Sequence, residues 1–361
     1  MRKTAAFLLL ALGAAVPARG NEATRSRVAA YFKGWYSICP STEVTAVASS
    51  EVAIPGYETY RTERRCASKN RDESNIVLVD TAANEIFVGQ VLHDDSRKDR
   101  PFSAVADLPP IQAALQEGLG LPVEVEVGEG SDRASLLPLR IRIREAPEAW
   151  ARLPAYASRD GATLLLGEFF PFGSDPMAER EKLLQASPGV REGKGKFLVT
   201  AFIDFQCDKC RVRTPQLRDF AWTHGGALEV HFLPLVKIHD WAWAAAENAA
   251  ALANVSPSLY SRYEAALFPM ASSMSPQGAR ELATDVAQAA GQLDAYQAEL
   301  DSGRARHRVL QDIDLALRLG LNSTPAFFFR GAFLTSEKDL AESYIGGRLG
   351  ASAPHETARP R

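Results

Sequence analysis

Cys207 and Cys210 are the residues whose type and spacing could do chemistry. Two thiols three residues apart can close a disulfide between themselves or exchange it with sulfurs on another molecule, by attack of a thiolate on a disulfide sulfur. They follow the apolar run Phe197 to Ile203, whose Val, Phe and Ile content predicts a strand buried on both faces and hence a parallel sheet. A helix should begin at the cysteines. In its first turn Cys207 would face unpaired backbone N–H groups and the positive end of the helix dipole, which favour thiolate over thiol. Thiols so placed fall from about 8.5 to roughly 3.5–7.5. Cys210, one turn on, would be more buried and suited to closing the disulfide from within. Asp208 and Lys209 lie between the sulfurs. The Asp disfavours the thiolate and the Lys favours it, so this pair is expected to tune the redox potential.

Other chemistries fit the motif less well. A zinc site needs two more thiolates or imidazoles at matching spacing, and none follows nearby. A purely structural disulfide inside so short a loop would constrain little of the unfolded chain. Thiol exchange requires neither a metal nor a nucleotide.

A second stretch, Gly320 to Gly331 (GLNSTPAFFFRG), sets Pro325 at the entry to an apolar strand. Lacking an N–H, Pro there marks a first strand residue or a cis turn. With both stretches in hand, residues 196–348 resemble the DsbA-like branch of the thioredoxin superfamily. The resemblance rests on Phe-x-Asp-Phe-x-Cys-x-x-Cys from Phe202 to Cys210, Pro215 in the following helix, and Gly-x-x-x-Thr-Pro-x-Phe-Phe-Phe-x-Gly. It implies a cis Thr324–Pro325 bond beside the sulfurs, with the Thr324 backbone free to pair with a substrate chain. It also implies a helical insertion over the active site, between the second and third strands of the domain. Relatives commonly carry a buried carboxylate six residues before the first cysteine, to relay a proton to or from the buried thiol. This sequence has Ala201 there. Asp204 is nearer, but strand alternation predicts that it faces away. His239 stands where the family often has a histidine, and a satisfied histidine is the expectation for it.

The first twenty residues read as a targeting segment. Arg2 and Lys3 precede an apolar run from Ala5 to Val16, and Ala18-Arg19-Gly20 offers the small residues a signal peptidase reads. The mature chain is expected from Asn21 and in the periplasm or otherwise outside the cytoplasm, with an uncleaved anchor as the alternative. In an oxidising compartment Cys39 and Cys66 are expected to be bonded to each other, contributing about 3 kcal/mol by loop closure. A second redox relay is the competing reading for that pair, and it lacks both CxxC spacing and a helix start.

At 361 residues the chain exceeds one ordinary domain. A hydrophobic content of 46% with 24% charged residues describes a globular protein, and a net charge of −3 leaves no nucleic-acid footprint. Residues 21–105 and 106–185 read as two small α+β modules. Val79 to Val91 and Ala157 to Phe169 share a polar turn, an apolar strand and a Gly, with Gly89 and Gly167 offset by 167 − 89 = 78. Each is preceded by a helical stretch, near Arg25–Tyr36 and Ile111–Glu117, and by alternating strands such as Val123 to Val127. A helix followed by an antiparallel sheet, twice, is the economical reading. The pattern looks like the cystatin-like dimerisation domain of periplasmic disulfide isomerases, which implies a homodimer formed through these modules.

Residues 186–195 are polar and Gly-rich, a linker after a short helix over Met177 to Ala186, and motion between the halves is expected. Within 196–348, Leu228 to Leu233 reads as a strand and His239 to Asn254 as a buried helix. Ser256-Pro257 and Ser275-Pro276 read as helix starts, Gly320 as a C-cap, and Ser336 to Gly346 as a terminal helix. Residues 349–361 are expected to be a disordered tail.

The fold expected is therefore α/β, thioredoxin-like with a helical insertion, after two α+β modules. The function expected is thiol–disulfide exchange with protein thiols and disulfides, recycled by a redox partner the sequence does not identify. Two alternatives stay open: a disulfide isomerase or reductase working as a dimer, and a non-catalytic thioredoxin-like protein whose CxxC holds copper(I) or a partner.

Overall fold

In this computed structural model, residues 21–39, 43–66, 71–94, 101–119, 122–128, 133, 135–143, 155–335 and 338–340 are described. The targeting segment, the tail and most of the terminal helix expected from sequence lie outside them. Among the described residues no helix is long and apolar enough to cross a membrane.

The amino-terminal repeats are each a helix followed by four antiparallel strands. The first is α1 (Glu22–Trp35), β1 (Glu43–Ala48), β2 (Tyr57–Cys66), β3 (Arg71–Asp80) and β4 (Glu85–His93). The second is α2 (Ala104–Leu119), β5 (Val123–Val127), β6 (Leu136–Ile143), β7 (Ala155–Ser158) and β8 (Thr163–Pro171). They are not separate sheets. One eight-stranded sheet runs β1-β2-β3-β4-β8-β7-β6-β5, the halves meeting where β4 pairs antiparallel with β8. Gly89 faces Gly167 at the centre of that pair, so the sequence repeat maps onto a pseudo-twofold between the two strands. Both glycines have φ of +156°, and a Cβ on either would lie 2.2 Å from a backbone oxygen of the opposite strand. Only a residue without Cβ tolerates that approach. Cys39 and Cys66 are bonded, tying the segment after α1 to the end of β2.

Helix α3 (Pro176–Ala186) leads into the second half, capped by Asp175. The stretch expected to be only a linker contains β9 (Val190–Glu192), which pairs antiparallel with β11 and forms the sheet's edge. Its Val190 and Glu192 are buried by that pairing, which composition alone hid beneath the surrounding glycines. The sheet runs β13-β12-β10-β11-β9, from β10 (Leu198–Ile203), β11 (Ala227–Phe232), β12 (Ala326–Phe329) and β13 (Ala332–Leu334). Only β10 and β11 are parallel, linked through the crossover helix α4 (Asp208–Thr223), while the remaining pairs are antiparallel. The expectation of a parallel sheet thus holds for its centre alone, because β12 and β13 form a hairpin running the other way.

Between β11 and β12 lie α5 (Ala242–Val255), α6 (Pro257–Met270), α7 (Pro276–Ala289), α8 (Leu293–Asp301) and α9 (Arg304–Arg318). Ser256 and Ser275 cap α6 and α7 with Pro at the first turn, and Gly320 takes a φ of +71° after α9. Alanines of α5 and α7 let these helices approach closely and are buried.

The halves share one contiguous core, in which Leu115 of α2 and Leu166 of β8 join the side chains around β10 and β11. Buried Arg180 of α3 donates to the carbonyl of Trp35 (2.8 Å) and lies over the rings of Trp35 and Phe328. Ile38 N–H donates to Phe333 of β13 (2.8 Å), and Arg318 pairs with Glu168 (2.8 Å). The expected free motion between halves is opposed by this packing.

Candidate active site

Strand β10 ends at Ile203, and the next four residues turn the chain into α4. Asp204 builds that turn. Its carboxylate accepts from Gln206 N–H (2.7 Å), from Leu235 N–H (2.7 Å) in the loop after β11, and from the His239 ring (2.8 Å). Its carbonyl accepts from Cys207 N–H (3.1 Å), and its own N–H donates to Cys210 Sγ (3.5 Å). Gln206 extends the same web, donating to Asp240 (2.9 Å) and accepting from Trp241 N–H (3.0 Å). The turn that carries the sulfurs is therefore fixed to the loop before the helical insertion.

The Asp204 carboxylate turns to Gln206, Leu235 and the His239 ring, and it is the Asp204 backbone that meets the cysteines, a role that strand alternation does not address because the chain has already turned. The signal that could have found it is Asp two residues before Gln206, the arrangement of an Asx turn. His239 is satisfied, as expected, but by this aspartate beside the cysteines. Ala201 is fully buried within the sheet, paired with Val230 and Phe327.

Cys207 occupies the N-cap of α4 and is half-buried, while Cys210, in the first turn, has no exposed surface, and both are free thiols. The Cys207 thiol is pulled from 9.0 down to about 5. The Cys210 thiol donating to it is the largest cause, and the backbone N–H groups of Cys210 and Lys209 and the Thr324 side chain add to this against the cost of burial. Burial pushes the Cys210 thiol far up, and the neighbouring Cys207 charge pushes it further. One sulfur is thus ready to attack at neutral pH, and the other holds its proton behind it.

Thr324–Pro325 is cis, and the Cys207 sulfur lies 3.5 Å from the Thr324 carbonyl oxygen. The two stretches singled out in the sequence, more than a hundred residues apart, therefore meet at one sulfur. Asp208 and Lys209 are exposed. The Asp208 carboxylate pairs with Arg211 (2.9 Å), and Lys209 favours the thiolate through its backbone N–H. Cys39 and Cys66 lie in the amino-terminal half, bonded to each other rather than to this pair.

A Cys-x-x-Cys at a helix start, faced by a cis proline, with a block of helices inserted between β11 and β12, is the arrangement of a thioredoxin-like fold. Residues 192–343 match the Thioredoxin_4 family, described as thioredoxin. No curated protein matches the chain. Similar solved structures include the thiol-disulfide exchange protein alpha-DsbA2 from Wolbachia pipientis, at 12% identity and TM-score 0.40, covering 48% of this chain and 98% of that one. The catalytic domain of Proteus mirabilis ScsC is 15% identical with TM-score 0.40, over 48% and 97% of the two chains. A thioredoxin-like oxidoreductase from Silicibacter pomeroyi is 21% identical with TM-score 0.37, over 45% and 92%.

Proposed function

We propose that the chain is an exported thiol–disulfide oxidoreductase acting on protein thiols and disulfides. The observation that carries this reading is the division between its sulfurs: an accessible Cys207 ionised near pH 5 and a protonated Cys210 buried directly behind it. In the reducing direction, Cys207 thiolate attacks a substrate disulfide sulfur, forming a mixed disulfide and releasing one substrate thiolate, which takes up a proton. Cys210 then loses its proton and attacks Cys207, forming the Cys207–Cys210 disulfide and releasing the second thiolate. In the oxidising direction every step runs backwards, starting from a substrate thiolate. The Thr324 backbone, against Cys207, is the edge on which the substrate chain would lie. Neither direction draws on a metal or nucleotide.

The pairing of β4 with β8 favours a monomer over the dimer reading, because the duplicated repeat supplies within one chain the partner that a second copy would otherwise bring. The amino-terminal segment of basic then apolar residues supports an extracytoplasmic location.

The test is trapping. Cys210→Ala leaves an attacker without a resolver and is expected to accumulate mixed disulfides with exported proteins that vanish with reductant, whereas Cys207→Ala accumulates few. Equal trapping, or none by either variant, would sink the assignment, and comparable loss of copper(I) affinity in both would point to a carrier instead.

A further inference from the structure

Where the two halves meet, a cavity of about 480 Å³ opens beside the loops that hold the active site. Its walls come from both: Leu92 of β4, Leu115 of α2 and Leu166 of β8 on one side, Leu235, Ile238 and Leu317 on the other. The volume lies within the range of small-ligand sites, roughly 300–1,000 Å³, and admits side chains rather than a folded surface. Its lining is aliphatic apart from Gln90, Glu117, Lys237 and Asn322. Glu117 and Lys237 face each other at 3.7 Å, so the only two charges on the lining offset one another. Such a site selects for apolar shape and not for a charge.

The cavity belongs to the redox chemistry by its borders. Leu235, in its wall, donates its N–H to Asp204, which positions both cysteines. Asn322, also in its lining, lies two residues before Thr324, whose carbonyl touches the Cys207 sulfur. Two residues span at most about 7 Å, so the cavity begins within two or three extended residues of the position where a substrate cysteine must sit. Its rim also exposes apolar surface that folding alone would hide: Ile238 is 68% exposed and Leu92 43%. Water-facing aliphatic groups on the rim of such a cavity are a cost to an isolated protein, removed when an apolar partner covers them.

We propose that this cavity is a substrate subsite that takes aliphatic side chains two or three residues from the reacting cysteine of an extended polypeptide. The inference rests on the oxidoreductase reading and names its substrate class: unfolded chains with an aliphatic residue near the cysteine, a feature buried once a protein has folded.

The test uses three peptides of one neutral sequence, each with a single cysteine joined to glutathione as a disulfide. One carries Leu at the second and third positions before the cysteine, one Leu at the second and third positions after it, and one Ser throughout. The reduced full-length protein is expected to cleave one Leu peptide with kcat/KM about tenfold or more above the Ser peptide, the scale set by burying one or two Leu side chains. In Ile238→Asp and in Leu92→Asp, both surface changes, that ratio is expected to fall toward one. A ratio near one in the wild-type protein, or one unmoved in both variants, overturns the subsite. So does saturable binding of dodecanol without peptide discrimination, which would make it a site for a free apolar ligand. Failure to reduce glutathione disulfide or any peptide would sink the oxidoreductase reading instead. The subsite is then decided by fluorescence anisotropy on the same peptides with Ser in place of Cys, where the same ratio is expected in affinity.

Discussion

Asp204 holds Cys210 through its backbone, N–H to Sγ at 3.5 Å, while its buried carboxylate takes His239 at 2.8 Å. The group that organises the buried sulfur therefore sits one residue past the end of β10 and not on the strand. Asp204→Ala leaves the N–H groups of Gln206 and Leu235 and the His239 ring without their acceptor. Unpaired buried donors cost about 1–3 kcal/mol each, so a loss on the order of 3 kcal/mol or more is expected in urea titration. Iodoacetamide should also reach Cys210 faster as the turn loosens. A variant as stable as the wild type, with Cys210 equally protected, would remove Asp204 from this role.

Ala201 stands where the resemblance leads one to expect a proton-relaying carboxylate, and its surroundings decide what Ala201→Glu would do. Ala201 is fully buried, with Val230 and Phe327 on the flanking strands. A Glu there must displace packed side chains, costing about 1–3 kcal/mol, and bury a carboxylate besides. Lowered stability, read by thermal melting, is the expected outcome, with no faster resolution in the folded fraction.

What sequence could read and what it could not divides along chain separation. The strand, the CxxC and the helix start are local: each is fixed by residues within a turn of one another, as are the Ser-Pro starts of α6 and α7. The meeting of Thr324 with Cys207 was reachable only through resemblance, since no local signal links residues so far apart. The single eight-stranded sheet was hidden for a related reason. The repeat of Gly89 at Gly167 was visible, but nothing in either stretch says that the two strands pair with each other. Strand β9 was concealed by its glycine neighbours, because its order comes from β11 and not from its own three residues.

Gly89 and Gly167 carry the junction of the repeats. At either position an added Cβ meets the opposite backbone at 2.2 Å, and the φ of +156° is strained for any other residue. Gly89→Ala is expected to part β4 from β8 and cost roughly 3 kcal/mol or more in the amino-terminal half. The chain should then expose two new strand edges and associate with itself. Sedimentation velocity checks both states: a wild-type monomer and a variant shifted to larger species. A monomeric variant of unchanged stability would mean that the two strands need no glycine.

His231 lies wholly buried on β11, with Asp312 of α9 at 2.6 Å and Glu229 at 3.6 Å, its ring stacked on Phe202. Burial opposes its charge, but the two carboxylates outweigh it and raise the imidazolium from 6.5 to about 9. A histidine raised on folding adds stability that is complete below 6.5 and is lost as pH climbs through 9. Denaturation of the oxidised protein should therefore show stability falling from pH 6.5 to 9. His231→Gln is expected to be less stable at pH 6 and to flatten that slope. An equal slope in both proteins would place the pH dependence elsewhere.

The cysteine pair makes the sharpest statement about pH. Above about 5 the reduced protein holds Cys207 as thiolate, while Cys210 keeps its proton throughout the physiological range. Reduction of the Cys207–Cys210 disulfide then takes up two electrons and one proton. The reduction potential should fall by about 30 mV per pH unit above pH 5 and by about 59 mV per unit below it, where both thiols are protonated. Equilibration with glutathione at a series of pH values measures the slope, and the thiolate absorbance near 240 nm of the reduced protein should vanish with a midpoint near 5. A slope of about 59 mV per unit maintained up to pH 8 would mean that Cys207 is an ordinary thiol. The division of labour between the two sulfurs would then have no electrostatic basis.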